Sequence, residues 1–416
     1  MRYKAYPKYK DSGVEWLGDV PEGWDNTFLK FKIINLNFKR IPISASEREN
    51  ISGEYPYYGA SGIIDYVEDY IFNETTILIG EDGANLLSKS TPLAFIAKDK
   101  YWVNNHAHIL KPKDSLFDFW TYVLNSIDLT PFITGSAQPK LTAEALSNLQ
   151  VVFPKSLKER IGISSYLNEK TKKIDTLIEK QKSLIELLKE KRQALISHVV
   201  TKGLDSDNST WNKYRLDWVT TIVRGNTGFK KDELLKNGKY VALQYGKTYK
   251  VDEVNKEFNF YVNDEFYKFS QVVHYGNTIL ISTSETIKDL GHSCFYNRND
   301  LGLIGGEQIL LKPNSKLLSG KYLYYKSKVF SNELRKYATG LKVFRFNVDD
   351  VKSTFILIPN MEEQTKIALY LDQKTKKIDT LIDKSTQSIA LLKERRVALV
   401  SAVVGGKVDV REWEVD

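Results

Sequence analysis

Apolar residues recur at alternating spacings of four and three positions in two long segments of the chain. This alternation is typical of a coiled-coil seam and predicts two long helices. The polar residues Gln181 and Ser385 and the arginines Arg192 and Arg396 fall in the same series, and we expect them to set its register. The apolar seam positions are Ile174, Ile178, Ile185, Leu188, Leu195 and Val199 in the first segment, and Ile378, Ile382, Ile389, Leu392, Leu399 and Val403 in the second.

The two helical segments are copies of one another. Residues 166–205 align with residues 370–409 without a gap, and 24 of the 40 aligned positions are identical. A helix of this length would be a rod of about 60 Å, and so much apolar surface needs a partner in water. A coiled coil between separate chains is an alternative, but two copies within one chain favour pairing inside the molecule. Additional apolar residues widen the stripes, so each helix is expected to pack against more than one neighbour; they are Leu177, Leu184, Leu381 and Leu391.

The rest of the repeat is fainter and consists of short strand-like runs. TTILIGED at 75–82 resembles NTILISTS at 277–284, HILKP at 108–112 resembles ILLKP at 309–313, and Lys140 aligns with Arg345. Such runs, separated by Gly, Asn and Pro turns, predict mixed α/β lobes with cores of their own. We therefore predict an α+β protein in four segments. They are a first lobe at 1–153, a helix at 154–204, a second lobe at 205–358, and a helix with a tail at 359–416.

Composition places the chain among globular proteins. Of its 416 residues 42% are hydrophobic and 27% charged, and no apolar run approaches the roughly 20 residues of a membrane span. With the single cysteine Cys294, we expect a soluble protein of the reducing cytoplasm. The net charge of +8 hints at a polyanionic partner. The charge is uneven, with −4 over 1–153, +6 over 154–204, +6 over 205–358 and 0 over 359–416.

The sequence lacks the usual signatures of catalysis. Gly246, Lys247 and Thr248 are a fragment of a phosphate-binding loop without its leading glycine, and no GxGxxG or GxSxG motif occurs. His292 and Cys294 could supply two ligands of a metal site, but zinc needs three or four. We expect no catalytic residue, no metal and no cofactor in this chain.

Three segments of the first lobe are rich in side chains that could read base edges or hold phosphates. They are YPYYGASGI at 55–63, WVNNHAHIL at 101–109 and TGSAQPKL at 134–141. Tyrosine rings can stack on bases and asparagine amides can pair with adenine. The same residue types also cap hairpins and turns, and a lysine can be a solvated charge. The candidates for DNA binding are Tyr57, Tyr58, Ser61, Asn104, Asn105, His106, Gln138 and Lys140, with echoes in the second lobe at Gln244, Tyr245, Lys247, Thr283, Ser284, Glu285, Lys342 and Arg345.

Taken together with the repeat, these segments resemble the specificity subunit of a type I restriction-modification enzyme. The resemblance covers the whole chain and includes KDSGVEWLGDVPEGW at 10–24, the YYGASGI, LIGEDGA and WVNNHAHIL segments, and both helices. The helix starts PKSLKERIGISSYL and PNMEEQTKIALYL resemble the family's Pro-x-Glu-Gln-x-Ile pattern. The first copy departs from it with Arg160 where the second has Gln364.

The resemblance implies two target-recognition domains, each reading one half of a bipartite, asymmetric sequence in double-stranded DNA. It implies antiparallel pairing of the two helices within the chain, with a pseudo-twofold axis, and helices that set the spacer and recruit two modification subunits, which bring S-adenosylmethionine. Two motor-nuclease restriction subunits would add ATP- and Mg-dependent cleavage, so this chain would be non-catalytic. Two alternatives stay open: the specificity subunit of a methylation-only complex, and a coiled-coil scaffold whose lobes do not bind DNA.

Overall fold

The computed structural model describes residues 4–14, 17–89, 91–135, 138–205, 207–249 and 251–413. Parts of the predicted segments KDSGVEWLGDVPEGW and TGSAQPKL lie outside the described residues. The chain forms two compact units, the first made of Met1–Lys182 and Gln387–Asp416 and the second of Ser183–Thr386. Both units combine sheets with helices, so the predicted α+β class is confirmed.

Helices of two kinds occur in the described residues, eight of 15 residues or fewer and two of more than 40. In chain order they are α1 (Ala45–Asn50), α2 (Asn85–Ser88), α3 (Phe117–Ser126), α4 (Ala143–Ser147), α5 (Leu157–Lys202), α6 (Leu216–Val219), α7 (Tyr245–Thr248), α8 (Gly320–Leu334), α9 (Val348–Ser353) and α10 (Met361–Val404). The two long helices, α5 and α10, are the predicted ones. Each begins at a polar capping residue, because Ser156 Oγ accepts from the amide of Glu159 at 3.3 Å and Asn360 Oδ1 accepts from the amide of Glu363 at 2.9 Å.

The first unit contains two four-stranded sheets and three strand pairs. Its strands are β1 (Tyr9–Asp11), β2 (Asp19–Pro21), β3 (Trp24–Phe28), β4 (Ile33–Asn35), β5 (Ser52–Gly59), β6 (Gly62–Val67), β7 (Phe72–Asn73), β8 (Thr76–Gly80), β9 (Ala94–Ala97), β10 (Lys100–Val103), β11 (Ala107–Pro112), β12 (Ile133–Thr134), β13 (Lys140–Leu141) and β14 (Gln150–Pro154). One sheet has the order β4-β11-β8-β9 and is antiparallel throughout. The other has the order β6-β5-β10-β7, in which β5 and β10 are parallel.

The second unit repeats this plan. Its strands are β15 (Asn212–Arg215), β16 (Thr220–Arg224), β17 (Tyr240–Leu243), β18 (Glu253–Val254), β19 (Tyr261–Val262), β20 (Val272–Val273), β21 (Thr278–Ile281), β22 (Thr283–Ser284), β23 (Ser293–Tyr296), β24 (Gly302–Ile304), β25 (Gln308–Pro313), β26 (Phe344–Arg345) and β27 (Phe355–Ile358). The sheets have the orders β16-β25-β21-β23-β18 and β19-β17-β24-β20. Again the second sheet holds a central parallel pair, β17 with β24. The two kinds of sheet therefore occur in both units, although the lobe sequences of the two copies have diverged.

Matching hydrogen bonds tie each lobe to the helix that follows it. The indole Nε1 of Trp24 donates to Glu159 at 3.0 Å, and that of Trp211 donates to Glu363 at 3.1 Å. The next residue differs between the copies. Arg160 forms an ion pair with Asp114, whereas the Gln364 side chain is fully buried and bonded to backbone atoms of residues 317, 319 and 359. The departure from the family pattern thus replaces hydrogen bonds to backbone atoms by an ion pair, and in both copies this side chain still links the start of the long helix to the lobe.

The long helices pair within the first unit. Ile174 and Ile178 of α5 share a core with Leu399 and Val403 of α10, and this core is continuous with the lobe. An ion pair joins Arg396 Nε to Asp175 Oδ1 at 2.9 Å. Because the beginning of α5 meets the end of α10, the two helices run antiparallel.

The second unit contains the complementary halves of the same helices. Val199 near the end of α5 shares a core with Ile367 and Leu371 near the start of α10. The ion pair repeats as well, between Arg192 Nε and Asp379 Oδ1 at 2.9 Å. The apolar residues of the predicted seam are all buried or half-buried. Each unit therefore consists of one lobe, the first half of the long helix that follows it and the second half of the other long helix. This division does not follow the predicted segments 154–204 and 359–416, because each of them is shared between the two units.

Among the described residues no helix is long and apolar enough to cross a membrane.

Candidate nucleic-acid interface

In the first unit, one end of the antiparallel sheet brings the three predicted segments together. The amide of Glu81, directly after β8, donates to His106 O at 2.8 Å, just before β11. The amide of Leu141, in β13, donates to Glu81 O at 2.8 Å. The amide of Asn104 donates to Tyr58 O at 3.0 Å, which joins the turn after β10 to the strand before the Gly-Ala-Ser-Gly turn. The segments 55–63, 101–109 and 134–141 therefore form one surface.

A partly buried carboxylate that the sequence analysis did not single out lies at the centre of this surface. The side chain of Glu81 is 13% exposed, and it pairs with Arg40 at 2.7 Å and with Lys140 at 3.3 Å. Burial by itself would raise the pKa of Glu81, but the positive charges around it hold that pKa below its usual value. Arg40 also donates to the carbonyls of Asn105 and Ala107. This network fixes the shape of the loops.

The structure corrects the roles predicted for two residues of the first lobe. Tyr57 is fully buried, and its hydroxyl bonds to the backbone of Ile43, so neither ring face is open to a base. Asn104 is also buried, and its Oδ1 accepts from the amide of His106 at 2.8 Å. Tyr58 is half-buried, with its ring centroid 5.7 Å from that of Tyr101. These three residues pack behind the loops and stabilise the loop conformation.

The remaining candidates of the first lobe are exposed on the same surface. Ser61 lies in the turn between β5 and β6, Asn105 and His106 lie between β10 and β11, and Gln138 and Lys140 belong to the β12–β13 hairpin. The imidazole Nδ1 of His106 lies 2.8 Å from Asp82. Of these residues, Ser61, Asn105 and Gln138 are neutral hydrogen-bonding groups that could face a base edge.

The second unit builds its surface on the same backbone frame. The amide of Ser282, after β21, donates to Glu307 O at 3.0 Å, as Glu81 does to His106. The amide of Phe346 donates to Ser282 O at 3.2 Å, as Leu141 does to Glu81. In each unit a hairpin, β12–β13 in the first and residues 339–345 in the second, is anchored beside the end of a central strand.

Three candidates of the second lobe support this surface from inside. Gln244 directly precedes α7, and its side chain donates from Nε2 to Phe229 O at 2.9 Å. Ser284 is buried and accepts from the amide of Thr286 at 3.2 Å. Tyr245 is half-buried, and burial raises its pKa while a hydrogen bond to Ser284 opposes that shift. A role of Gln244 or Ser284 in reading bases is therefore corrected to one of positioning the loops.

The other candidates of the second lobe are charged side chains, with the exception of Thr283. Lys247 is half-buried, with Nζ 4.6 Å from the Phe260 ring centroid. Thr283 is half-buried and pairs with Arg345 across the strands β22 and β26. Glu285, Lys342 and Arg345 are exposed.

The two surfaces differ in charge at equivalent positions. Lys140 is partly neutralised by Glu81, whereas its counterpart Arg345 lies opposite Thr283 and has no ion-pair partner within the described part of the chain. Lys342, on the same hairpin, likewise lacks an acidic partner there. Two cationic side chains of the second hairpin are thus without an ion-pair partner in the described part of the chain, whereas the charge of Lys140 in the first is opposed by Glu81.

The two possible metal ligands noticed in the sequence do not form a site. Cys294 is buried, which raises the pKa of its thiol to about 12, and His292 Nε2 lies 2.9 Å from Val251 O. Within the described ranges, no three His, Cys, Asp or Glu side chains are close enough to share a metal ion.

Comparisons with known proteins agree with the internal duplication. The family described as "Type I restriction modification DNA specificity domain" matches residues 21–188 and again residues 208–390. A type I restriction enzyme specificity subunit of Haemophilus influenzae is 28% identical over 369 residues, which cover 86% of this chain and 89% of the relative. The EcoprrI specificity subunit of Escherichia coli is 27% identical over 178 residues, 42% of each chain.

Two solved structures share the fold. A chain from a structure on complex assembly and conformational transition of the type I R-M system has a TM-score of 0.68 at 15% identity, covering 92% of this chain and 98% of its own. The HsdS subunit from Thermoanaerobacter tengcongensis has a TM-score of 0.50 at 16% identity, covering 94% of this chain and 98% of its own.

Proposed function

Because the chain belongs to the type I restriction-modification DNA specificity family, we propose that it reads a bipartite, asymmetric target in double-stranded DNA, one half-site with each unit. A specificity subunit recognises DNA and is itself non-catalytic.

The observation that carries this proposal is the pair of matching surfaces with different side chains. In both units a hairpin and the ends of central strands are held by equivalent backbone hydrogen bonds. The exposed groups on this frame differ, with Asn105 and Gln138 in one unit and Lys342 and Arg345 in the other. A common frame with different contacts is what reading two different half-sites requires.

The chemistry of the exposed groups suits direct and electrostatic recognition. An asparagine amide such as that of Asn105 can bind adenine through two hydrogen bonds, and a guanidinium such as that of Arg345 can bind guanine or a phosphate. Lys342 would add a phosphate contact whose contribution falls as salt rises. The first unit, with Lys140 held by Glu81, would depend more on neutral hydrogen-bonding groups.

The antiparallel helices would set the spacer and recruit two modification subunits. Exposed leucines occur at repeated positions of the two helices, with Leu177 and Leu381 exposed by 47% and 49% and Leu187 and Leu391 by 62% and 66%. Large apolar side chains in such numbers favour a protein partner along the helices. The modification subunits would bring S-adenosylmethionine for adenine methylation, and two restriction subunits would bring ATP- and Mg-dependent cleavage in the cytoplasm.

The test is single-molecule methylome sequencing of the source cell with and without this gene. We expect one bipartite adenine-methylated motif that disappears on deletion. Exchanging residues 25–150 for those of another member of the family should change one half-site and leave the other half-site and the spacer intact. A change in both half-sites would contradict independent reading, and persistence of every methylated motif after deletion would refute the proposal.

A further inference from the structure

A leucine stands almost free of the protein in the turn of the second hairpin, residues 339–345. Leu341 is 98% exposed, which is the largest exposure of any large apolar side chain in the described residues. A side chain of this size gains free energy when it leaves water. Its position on the candidate DNA surface therefore raises the question of which apolar group it meets there.

The backbone of the second hairpin fixes the place of this leucine. The amide of Thr339 donates to Arg345 O at 2.9 Å, and the amide of Arg345 donates to Thr339 O at 3.0 Å. Gly340 follows with a φ of +113°, and a Cβ at this position would collide with Val343 O. The turn thus requires glycine directly before Leu341.

The first hairpin closes its turn in the same way. Gly135 has a φ of +85°, and a Cβ there would collide with Gln138 O. In both hairpins the carbonyl that excludes a side chain belongs to the third residue after the glycine. The residue aligned with Leu341 is Ser136, which lies outside the described residues. A bulky apolar residue at this position is therefore particular to the second copy.

The surroundings of Leu341 favour a polyanionic partner. Lys342 and Arg345, the two cations of this hairpin that lack an ion-pair partner in the described part of the chain, are exposed beside it. Glu285 follows β22 on the same surface and pairs with neither of them. Arg345 is held opposite Thr283 by the pairing of β26 with β22. An apolar group with a cation on each side suits a base edge between two phosphates.

The shape of the hairpin selects one groove of the DNA and one group within it. A two-stranded β-ribbon enters the major groove, which is about 12 Å wide, whereas the minor groove is only about 6 Å wide. On the base edges of the major groove, the apolar group is the C5 methyl group of thymine. Because Leu341 lies in the turn, it would reach the bases first, and the cations behind it would face the phosphates.

We propose that Leu341 reads a thymine in the half-site of the second unit, by contact with the C5 methyl group in the major groove; the inference rests on the proposed function. It adds an apolar contact to the hydrogen-bonding and charged groups of the candidate surface. Those groups alone cannot detect this methyl group, because thymine and uracil present the same donors and acceptors to the groove.

The experiment is competition binding of DNA duplexes to the assembled complex of the full chain with the modification subunit encoded beside its gene. Methylome sequencing gives the motif, and exchange of residues 25–150 identifies the half-site that remains for the second unit. Each thymine of that half-site is then replaced in turn by deoxyuridine, which removes only the methyl group. At one position the Kd should rise about fourfold, as expected when one methyl group loses its contact.

Two variants connect this effect to the leucine. Leu341→Ala should weaken binding of the natural duplex by about tenfold and reduce the effect of deoxyuridine at that position to less than about 1.5-fold. Leu341→Ser, which introduces the aligned residue of the first copy, should behave in the same way. The control is Leu317→Ala, because Leu317 is 43% exposed and follows the end of β25 that is remote from the hairpin. It should leave the fourfold effect unchanged.

Each outcome decides the inference. A deoxyuridine effect that disappears only in the Leu341 variants would support it. A half-site without thymine, equal weakening at every position, or unchanged binding by Leu341→Ala would overturn it. Loss of assembly with the modification subunit in the Leu341 variants would also overturn it, since the leucine would then contact protein. If the unaltered complex bound no specific DNA, the proposed function itself would fail, which is a distinguishable result.

Discussion

The two arginines of the helix seam form a comparison within one chain. Arg192 and Arg396 occupy equivalent positions of the repeat, and each pairs with an aspartate of the other helix at 2.9 Å. Arg192 makes a second ion pair, with Nη2 at 2.8 Å from Asp252 Oδ2, and its side chain is 18% exposed against 32% for Arg396. We expect Arg192→Met to destabilise the protein more than Arg396→Met. Methionine keeps the length and apolar character of the stem, so the substitution removes mainly the charge.

The difference can be estimated from the contacts. A charge-assisted hydrogen bond contributes about 1.5–3 kcal/mol when shielded, and an exposed pair about 0–1 kcal/mol. The aspartates opposite Arg192 are 40% and 47% exposed, so solvent screens both pairs. We assign about 1 kcal/mol to each, so Arg192→Met should cost about 2 kcal/mol. Arg396 has one pair, with an aspartate that is 49% exposed, and its replacement should cost roughly 0.5–1 kcal/mol.

Urea unfolding of the full chain measures both values. The two compact units can unfold in separate transitions, so hydrogen exchange should assign each transition to a unit. Arg192→Met should lower the midpoint of the unit containing 183–386, with its m-value unchanged. Equal free-energy costs for the two variants, or a larger cost for Arg396→Met, would refute the reasoning that the second ion pair matters.

Four further predictions concern the lobes and the helices. Tyr57→Phe should lower the free energy of unfolding in urea by about 1 kcal/mol and leave the methylated motif unchanged. An altered motif would contradict the placement of Tyr57 in the core. Asn105→Ala should reduce discrimination at one base pair by about 1–3 kcal/mol in competition binding. Burial would raise the pKa of Asp252, but Lys328 and Arg192 lower that pKa from 3.8 to about 2. The ionised carboxylate therefore stabilises the protein above pH 4, and this stabilisation is lost between pH 4 and 2. Because the carboxylate is 40% exposed, Asp252→Asn should lower the free energy of unfolding by about 1 kcal/mol at pH 7, and an equal loss at pH 2 would contradict this prediction. Lengthening 174–199 by one heptad, with the partner helix matched, should change the spacer found by methylome sequencing, and altered half-sites with an unchanged spacer would exclude the helices as a ruler.

The periodic parts of the structure could be predicted from sequence. The seam is visible because burial repeats every three or four residues along a helix, and short apolar runs such as Thr76–Ile79 and Phe355–Ile358 fall in β8 and β27 because their flanking turns end a strand. Aligning the copies placed Lys140 opposite Arg345, and the two residues hold equivalent places in their hairpins, where Lys140 pairs with Thr134 and Arg345 with Thr339.

Side-chain exposure in the loops could not be predicted in the same way. Tyr57 and Tyr58 are adjacent, and nothing in their sequence distinguishes the fully buried ring from the half-buried one. The ion pair between Arg40 and Glu81 joins residues that are far apart in sequence, and only the fold brings them within 2.7 Å. The acidic pair in LIGEDGA was a possible signal, because the aligned segment of the second lobe lacks it.

The division of the long helices between the units also affects how the chain can fold during synthesis. The first unit includes residues 387–416, and Leu399 and Val403 lie in the same core as the first lobe. At roughly 5–20 residues per second, the ribosome would take about 10–40 s to make the intervening residues 183–386. Throughout that time the apolar face of α5 has no partner from α10. The unit that is made first is thus the last to be completed, and a chaperone that covers this helix during translation would protect the chain when it is most prone to aggregate.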